Sequence, residues 1–283
     1  MIVPGSASQT LSAALAAETG LPLARVDYER FPDGEGLVSI EGDLAGERAV
    51  VVASTASDAA HVELLQLQDA VAEAGASEVV TVLPYMGYAR QDRAFEAGQP
   101  VSARAVARAI STGTDRALLV NPHEGAVCDF FDVPAESVDA APLLADPLPD
   151  DLADPLFLAP DGNALALAET VRDAHGAGET DYFEKQRLSG TEVEVAPSDA
   201  DAAGRDVVVV DDIVATGTTM SEAIAVLRDR DAARLFVACV RPVLAGNART
   251  TLASAGVEAV YGTDTVERAE SAVSAAPAVA ERL

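Results

Sequence analysis

Short β-branched runs alternate with Ala- and Leu-rich stretches of helical spacing along this chain, and few architectures other than parallel sheets built from βαβ units can absorb that alternation. Ala49–Ala53 reads as a buried strand, Asp58 to Gly75 as an amphipathic helix, and Glu78–Leu83 as the next strand. The helix carries Val62, Leu65 and Ala72 on its predicted apolar face and ends at Gly75. The second half repeats the layout, with a strand at Asp206–Val210, a helix from about Thr218 to Asp229 and a strand at Leu235–Val240. Val51 and Val82 are 31 residues apart and Val208 and Val240 are 32 apart, so the spacing points to two related α/β domains in tandem. The proline-rich acidic stretch Ala145–Asp151 is the expected linker, dividing the chain into residues 1–146 and 147–283.

Charge narrows the partners. The 283 residues include 46 acidic and 19 basic side chains, a formal net charge of −27 that disfavours nucleic acid and anionic lipid as partners. Yet 49% of residues are hydrophobic, enough for packed cores and far from a disordered acidic chain. No apolar run approaches the roughly 18 residues a membrane span requires, and Met1–Pro4 has no basic signal-peptide opening, so the expected location is the cytoplasm. Lys185 is the only lysine. Abundant carboxylates, scarce lysine and few aromatics are similar to the composition of proteins from high-salt cytoplasm, where screening tolerates a self-repelling surface. Cys128 and Cys239 are far apart and beside apolar residues, and with His61, His123 and His175 they match no zinc spacing.

The strongest chemical signal is Val207-Val208-Val209-Val210-Asp211-Asp212-Ile213-Val214-Ala215-Thr216-Gly217-Thr218-Thr219. An apolar strand ends in two carboxylates, and a Gly/Thr turn then opens a helix. At the carboxyl end of a parallel strand such a turn lies where α/β proteins bind ligands. Backbone N–H groups at the helix start and three threonine hydroxyls can cradle a phosphate. Carboxylates beside that cradle need hydroxyls or a cation to face, and a phosphorylated sugar with Mg²⁺ supplies both. The stretch resembles the phosphoribosyl-diphosphate loop of type I phosphoribosyltransferases.

Further segments distinguish among the activities of that fold. Phe31-Pro32-Asp33-Gly34-Glu35, the run Pro84-Tyr85-Met86-Gly87-Tyr88-Ala89-Arg90-Gln91-Asp92-Arg93, and Asn121-Pro122-His123-Glu124 resemble motifs of the ribose-phosphate pyrophosphokinases. Phe183–Glu194, which holds the lone lysine, resembles that family's catalytic segment, particularly in its archaeal form. Retaining one lysine where arginine has replaced the others suits a compact charge that follows a transferring phosphoryl group. In an extended strand, Lys185 and Arg187 share a face.

The resemblance implies an α/β fold of two tandem type I phosphoribosyltransferase-like domains, each a mainly parallel sheet flanked by helices, with ATP-side motifs in the first domain and the ribose 5-phosphate loop in the second. It implies an enzyme that moves the β,γ-diphosphoryl group of ATP to the 1-hydroxyl of ribose 5-phosphate, with Mg²⁺ as cofactor and a homo-oligomeric assembly. By the same resemblance Phe31, Asp33 and Glu35 recognise adenosine, while Arg90, Gln91 and Arg93 lie beside the nucleotide phosphates. Asp211, Asp212 and the loop Ala215, Thr216, Gly217, Thr218 and Thr219 hold ribose 5-phosphate. His123 and Asp161 serve the metal, and Lys185 with Arg187 meets the developing charge. Gly87 and Gly98 are expected to hinge the nucleotide loop, and Tyr85 and Tyr88 to pack. Pro160–Leu165, the pyrophosphate-side loop, departs from the familiar pattern: it is poorer in glycine, carries Asn163, and the next basic residue is Arg172. A phosphoribosyltransferase that consumes the diphosphate and a catalytically silent regulatory subunit are the alternatives.

Overall fold

In the computed structural model the backbone is described for residues 1–187, 193–197 and 201–283, and side chains for 1–183, 201–217 and 220–283. The chain divides into two units, Met1–Ala140 with Asp264–Glu267 and Ser274–Leu283, and Ala141–Thr263 with Arg268–Val273. Among the described residues no helix is long and apolar enough to cross a membrane.

The first unit contains β1 (Ile2–Pro4), α1 (Gln9–Thr19), β2 (Arg25–Arg30), β3 (Gly36–Glu41), β4 (Arg48–Val52), α2 (Asp58–Glu73), β5 (Glu78–Leu83), α3 (Ser102–Ser111), β6 (Arg116–Val120) and β7 (Ala135–Val138). Five strands form a parallel sheet in the order β1-β4-β5-β6-β7, and β2 pairs with β3 as a separate antiparallel hairpin. Val50, Val51 and Val52 are fully buried, as an all-apolar run in a sheet covered on both faces should be. Ser57 starts α2 by accepting the Ala60 N–H, and Gly75 follows the helix at φ 86°.

The buried face of α2 is Leu64, Leu67, Gln68 and Val71, not the predicted Val62, Leu65 and Ala72. Spacings of three and four residues define two apolar stripes on this helix. The sheet takes the stripe with two leucines, Leu64 and Leu67, each contributing roughly 1.5–3 kcal/mol when buried. Val62 stays exposed, facing a groove of about 580 Å³ that it lines with Tyr28, Leu37 and Glu35 of the hairpin side.

The second unit contains β8 (Leu156–Ala159), α4 (Leu165–His175), β9 (Glu179–Arg187), β10 (Val193–Pro197), β11 (Val207–Ile213), α5 (Thr218–Asp229), β12 (Leu235–Arg241), α6 (Ala248–Ala255), β13 (Ala259–Thr263) and β14 (Ser271–Val273); α7 (Ala276–Ala280) belongs to the first unit. Its sheet runs β10-β9-β8-β11-β12-β13-β14, parallel except where β10 meets β9. Val207 to Val210 are fully buried, and Ile224 and Leu227 of α5 pack in the same core. The stretch read as a linker is folded into this unit: Ala141–Ala145 is a 3-10 helix, with Leu144 and Leu148 buried. The acidic residues there are exposed, and Pro147 and Pro149 are half-buried between the apolar anchors.

Candidate active site

In a parallel sheet the loops after successive strands open at one edge, so residues far apart in sequence meet there. In the second unit Asp161 follows β8, Asp211 and Asp212 end β11, and Arg241 ends β12, and these three strands are adjacent. Asp211 and Asp212 are half-buried. The Asp212 N–H donates to Asp211 Oδ1 at 2.8 Å. Burial raises the Asp211 carboxyl above the usual carboxylate range, and the nearby charges of Asp212 and Asp161 add to the rise. An acidic edge of this kind invites hydroxyl donors or a hard cation.

The loop that follows has a defined shape. Gly217 begins α5 at φ 75°, a left-handed conformation that disfavours any side chain. Its role is thus conformational: a Cβ there would meet Ala248 only at ordinary contact distance. Thr216 is exposed, while the side chains of Thr218 and Thr219 lie outside the described residues. The carbonyls of Val214 and Ala215 accept the N–H groups of Leu244 and Ala245 at 2.9 and 2.8 Å, so a second loop braces the first. The N–H groups of the first turn of α5 therefore open at the same edge as the two aspartates.

Lys185 and Arg187 lie on β9, which passes beyond its pairing with β8 at Ala159 and continues against β10, where Lys185 faces Val195. Their side chains lie outside the described residues, as does the rest of the motif at residues 188–192. Asp161 is exposed and its carboxylate accepts the Asn163 N–H at 2.9 Å, which makes the Asn163 departure part of a local turn. Arg172 pairs with Asp173.

In the first unit Phe31, Asp33 and Glu35 form the tip between β2 and β3. The Phe31 N–H donates to the Glu35 carbonyl at 2.8 Å and the Glu35 N–H to Asp33 Oδ1 at 3.1 Å, with Gly34 at φ 95° closing the turn. All five residues of the tip are exposed. Arg90 and Arg93 are exposed on the loop after β5, and His123 is exposed on the loop after the neighbouring β6.

Gln91 accepts from Ser102 Oγ at 2.6 Å and donates to the Pro100 carbonyl at 3.2 Å, which staples the loop to the start of α3. Two expectations for the nucleotide loop are corrected by its geometry. Gly87 is no hinge: a Cβ there would lie 2.2 Å from the Thr55 carbonyl oxygen and 2.9 Å from His61 Nε2, so the position is a close backbone approach. Tyr88 does not pack in the core; it is 48% exposed, holds φ 64°, and donates its hydroxyl to Asp58. His61 lies against the Tyr88 ring, and burial lowers its pKa.

Sequence reasoning missed Arg241 and Asp58. Arg241 ends an all-apolar strand and is only 3% exposed, and a lone cation closing such a run beside an Asp-Asp strand was the available signal. Asp58 carried no signal beyond starting a helix. Cys239 pairs in register with Asp211, and burial holds its thiol far above the ordinary range, so it is an inert packing residue.

Among the described residues no three His, Cys, Asp or Glu side chains are grouped so as to hold a metal by themselves. Mg²⁺ commonly takes one or two carboxylates and completes its shell with water and substrate phosphates. The accumulated carboxylate charge at Asp161, Asp211 and Asp212 fits an ion shared with substrate in that way.

Comparison with known proteins agrees with this geometry. The model for the N-terminal domain of ribose phosphate pyrophosphokinase matches residues 1–113, and that for the phosphoribosyl transferase domain matches residues 143–260. A ribose-phosphate pyrophosphokinase of Halobacterium salinarum is 66% identical over 283 residues, covering 100% of both chains. Another, from Methanosarcina mazei, is 44% identical over 100% of this chain and 94% of its own. Among solved structures, a phosphoribosylpyrophosphate synthetase from Mycobacterium smegmatis matches with a TM-score of 0.85 and 26% identity, over 100% of this chain and 96% of that one. With two parallel-sheet units, an aspartate pair feeding a Gly/Thr helix start and full-length similarity of this degree, the chain belongs to the ribose-phosphate pyrophosphokinase family.

Proposed function

We propose that this chain makes 5-phosphoribosyl 1-diphosphate from ATP and ribose 5-phosphate, releasing AMP. The observation that carries the reading is the loop after β11, where two half-buried aspartates and a helix N-terminus opening at φ 75° stand at one sheet edge. The 1-hydroxyl oxygen of the sugar attacks the β-phosphorus of ATP. The bond from that phosphorus to the α,β-bridging oxygen breaks, AMP leaves with that oxygen, and the hydroxyl proton is released. Such chemistry needs little from the protein beyond positioning and charge stabilisation.

The roles follow from residue chemistry. Asp211 and Asp212 accept the ribose hydroxyls, and Thr216 to Thr219 with the N–H groups of α5 hold the 5-phosphate. Phe31 offers a ring face to the base, Asp33 and Glu35 its polar partners, and Arg90 and Arg93 grip phosphate oxygens. Gln91 keeps that loop in shape. Lys185 and Arg187 meet the charge that develops on the moving diphosphoryl group. Asp161, beside the aspartate pair, would hold Mg²⁺ together with substrate and so neutralise phosphate charge, and His123 is the residue of the first unit assigned to the metal. Self-association is part of the reading, and exposed Leu37 and Val62 along one groove of the first unit support it.

AMP release, followed with and without ribose 5-phosphate in Mg²⁺ and high KCl, tests the reading. Release should require the sugar phosphate and fall by about 100- to 1,000-fold in Lys185→Ala. Release that ignores ribose 5-phosphate would make the chain an ATP hydrolase instead. An undiminished Lys185→Ala enzyme would remove that residue from the chemistry.

A further inference from the structure

The two aspartates of the β11 loop are neighbours in sequence but have different surroundings. Asp211 accepts the N–H of Asp212, whereas Asp212 Oδ2 accepts from Arg241 Nη1 at 3.1 Å. Arg241 stands opposite Ile213 in the register of β11 and β12, one residue beyond Asp212. Its side chain is 3% exposed, against 19% for that of Asp212, so the cation lies beneath the carboxylate and the carboxylate faces outward. A guanidinium keeps its charge at every accessible pH, and burying one without a partner is costly. The backbone of Arg241 adds a second constraint. Its carbonyl accepts the N–H groups of Val214 at 3.1 Å and Val243 at 2.9 Å, which fixes the exit of the β11 loop against the brace at residues 243–245.

We propose that Arg241 is a positioning residue for ribose 5-phosphate, acting through Asp212. A carboxylate has about four lone-pair sites. Arg241 occupies one of them, which holds the group in one orientation toward a sugar hydroxyl. The pairing also makes the aspartates unequal: a buried cation anchors Asp212, whereas Asp211 accepts the backbone N–H of Asp212. This inference rests on the reading that the β11 loop binds ribose 5-phosphate.

The test is equilibrium binding of ribose 5-phosphate and of ATP to wild type, Arg241→Met, Arg241→Lys, Asp212→Asn and the double variant Arg241→Met/Asp212→Asn, with thermal midpoints recorded. Loss of a charge-assisted hydrogen bond predicts that Arg241→Met weakens ribose 5-phosphate binding about 10- to 100-fold, with ATP binding changed less than about 2-fold. Arg241→Lys should recover part of the loss. In the Asp212→Asn background, Arg241→Met should have no further effect on ribose 5-phosphate. Parallel weakening of both ligands, or an equal loss in both backgrounds, would assign Arg241 a purely structural role. If Arg241→Met alone fails to fold, Arg241→Lys decides, because it keeps a cation against Asp212: selective weakening of ribose 5-phosphate upholds the role, and unchanged binding of both ligands overturns it. A wild type that does not bind ribose 5-phosphate overturns the functional reading itself, whereas a wild type that binds but shows the wrong variant pattern overturns only the role of Arg241.

Discussion

The hydroxyl of Tyr88 donates to Asp58 Oδ1 at 2.5 Å, tying the turn after β5 to the first residue of α2. Tyr88 holds φ 64°, a conformation that costs a non-glycine residue about 1–2 kcal/mol. The Gln91 N–H donates to the Tyr88 carbonyl at 3.0 Å, so the direction in which Arg90 and Arg93 leave the sheet depends on that turn.

Removing the hydroxyl should loosen the turn without touching the ribose loop. Tyr88→Phe is expected to raise KM for ATP about 2- to 10-fold, the worth of one exposed hydrogen bond, with KM for ribose 5-phosphate unchanged. Steady-state kinetics with each substrate varied in turn checks this. Equal rises in both values would show that the bond serves general stability instead.

Asp211 predicts a pH dependence of stability. Its carboxyl is raised in the folded chain by burial and by Asp212, whereas in the unfolded chain it ionises at an ordinary value. Between those two values the folded state holds the extra proton. Stability therefore falls as pH rises through that window and stays lower above it. Without Mg²⁺ or substrate, Asp211→Asn should remove this fall and melt about 2–4 °C above wild type at pH 8. The same variant should bind ribose 5-phosphate more weakly. A lower melting point than wild type at pH 8 would contradict the assignment.

Salt should matter as much as pH. With 46 carboxylates against 19 basic side chains, the surface repels itself, and screening shortens the range of that repulsion to about 3 Å at 1 M salt. Fold and activity are expected to need molar KCl, read from melting curves and initial rates across a KCl series. Full activity in dilute buffer with an unchanged melting curve would contradict this.

Much of the site was legible in the sequence because its parts are local. A strand ending in Asp211-Asp212 and a Gly/Thr turn opening α5 announce themselves within 13 residues, and the tip at Phe31–Glu35 is a single turn. Strand positions 78–83 and helix limits 218–229 follow from β-branched runs and apolar spacing and match the observed elements. What escaped is what only packing decides. Val62 and Leu64 are equally apolar, and the sheet chose between their stripes. Arg241 became visible once β12 was placed beside β11, since 29 residues separate it from Asp212. The return of Ser274–Leu283 to the first unit rests on contacts such as Arg48 donating to the Leu283 carbonyl at 2.9 Å, which no periodicity encodes.

The central claim is diphosphoryl transfer from ATP to the 1-hydroxyl of ribose 5-phosphate, and phosphorus NMR of the products tests it most directly. Protein, ATP, ribose 5-phosphate and Mg²⁺ in high KCl should give AMP and a sugar-linked diphosphate in equal amounts and on the same time course. ADP with a sugar bisphosphate would mean that a single phosphoryl group moves, and would contradict the account.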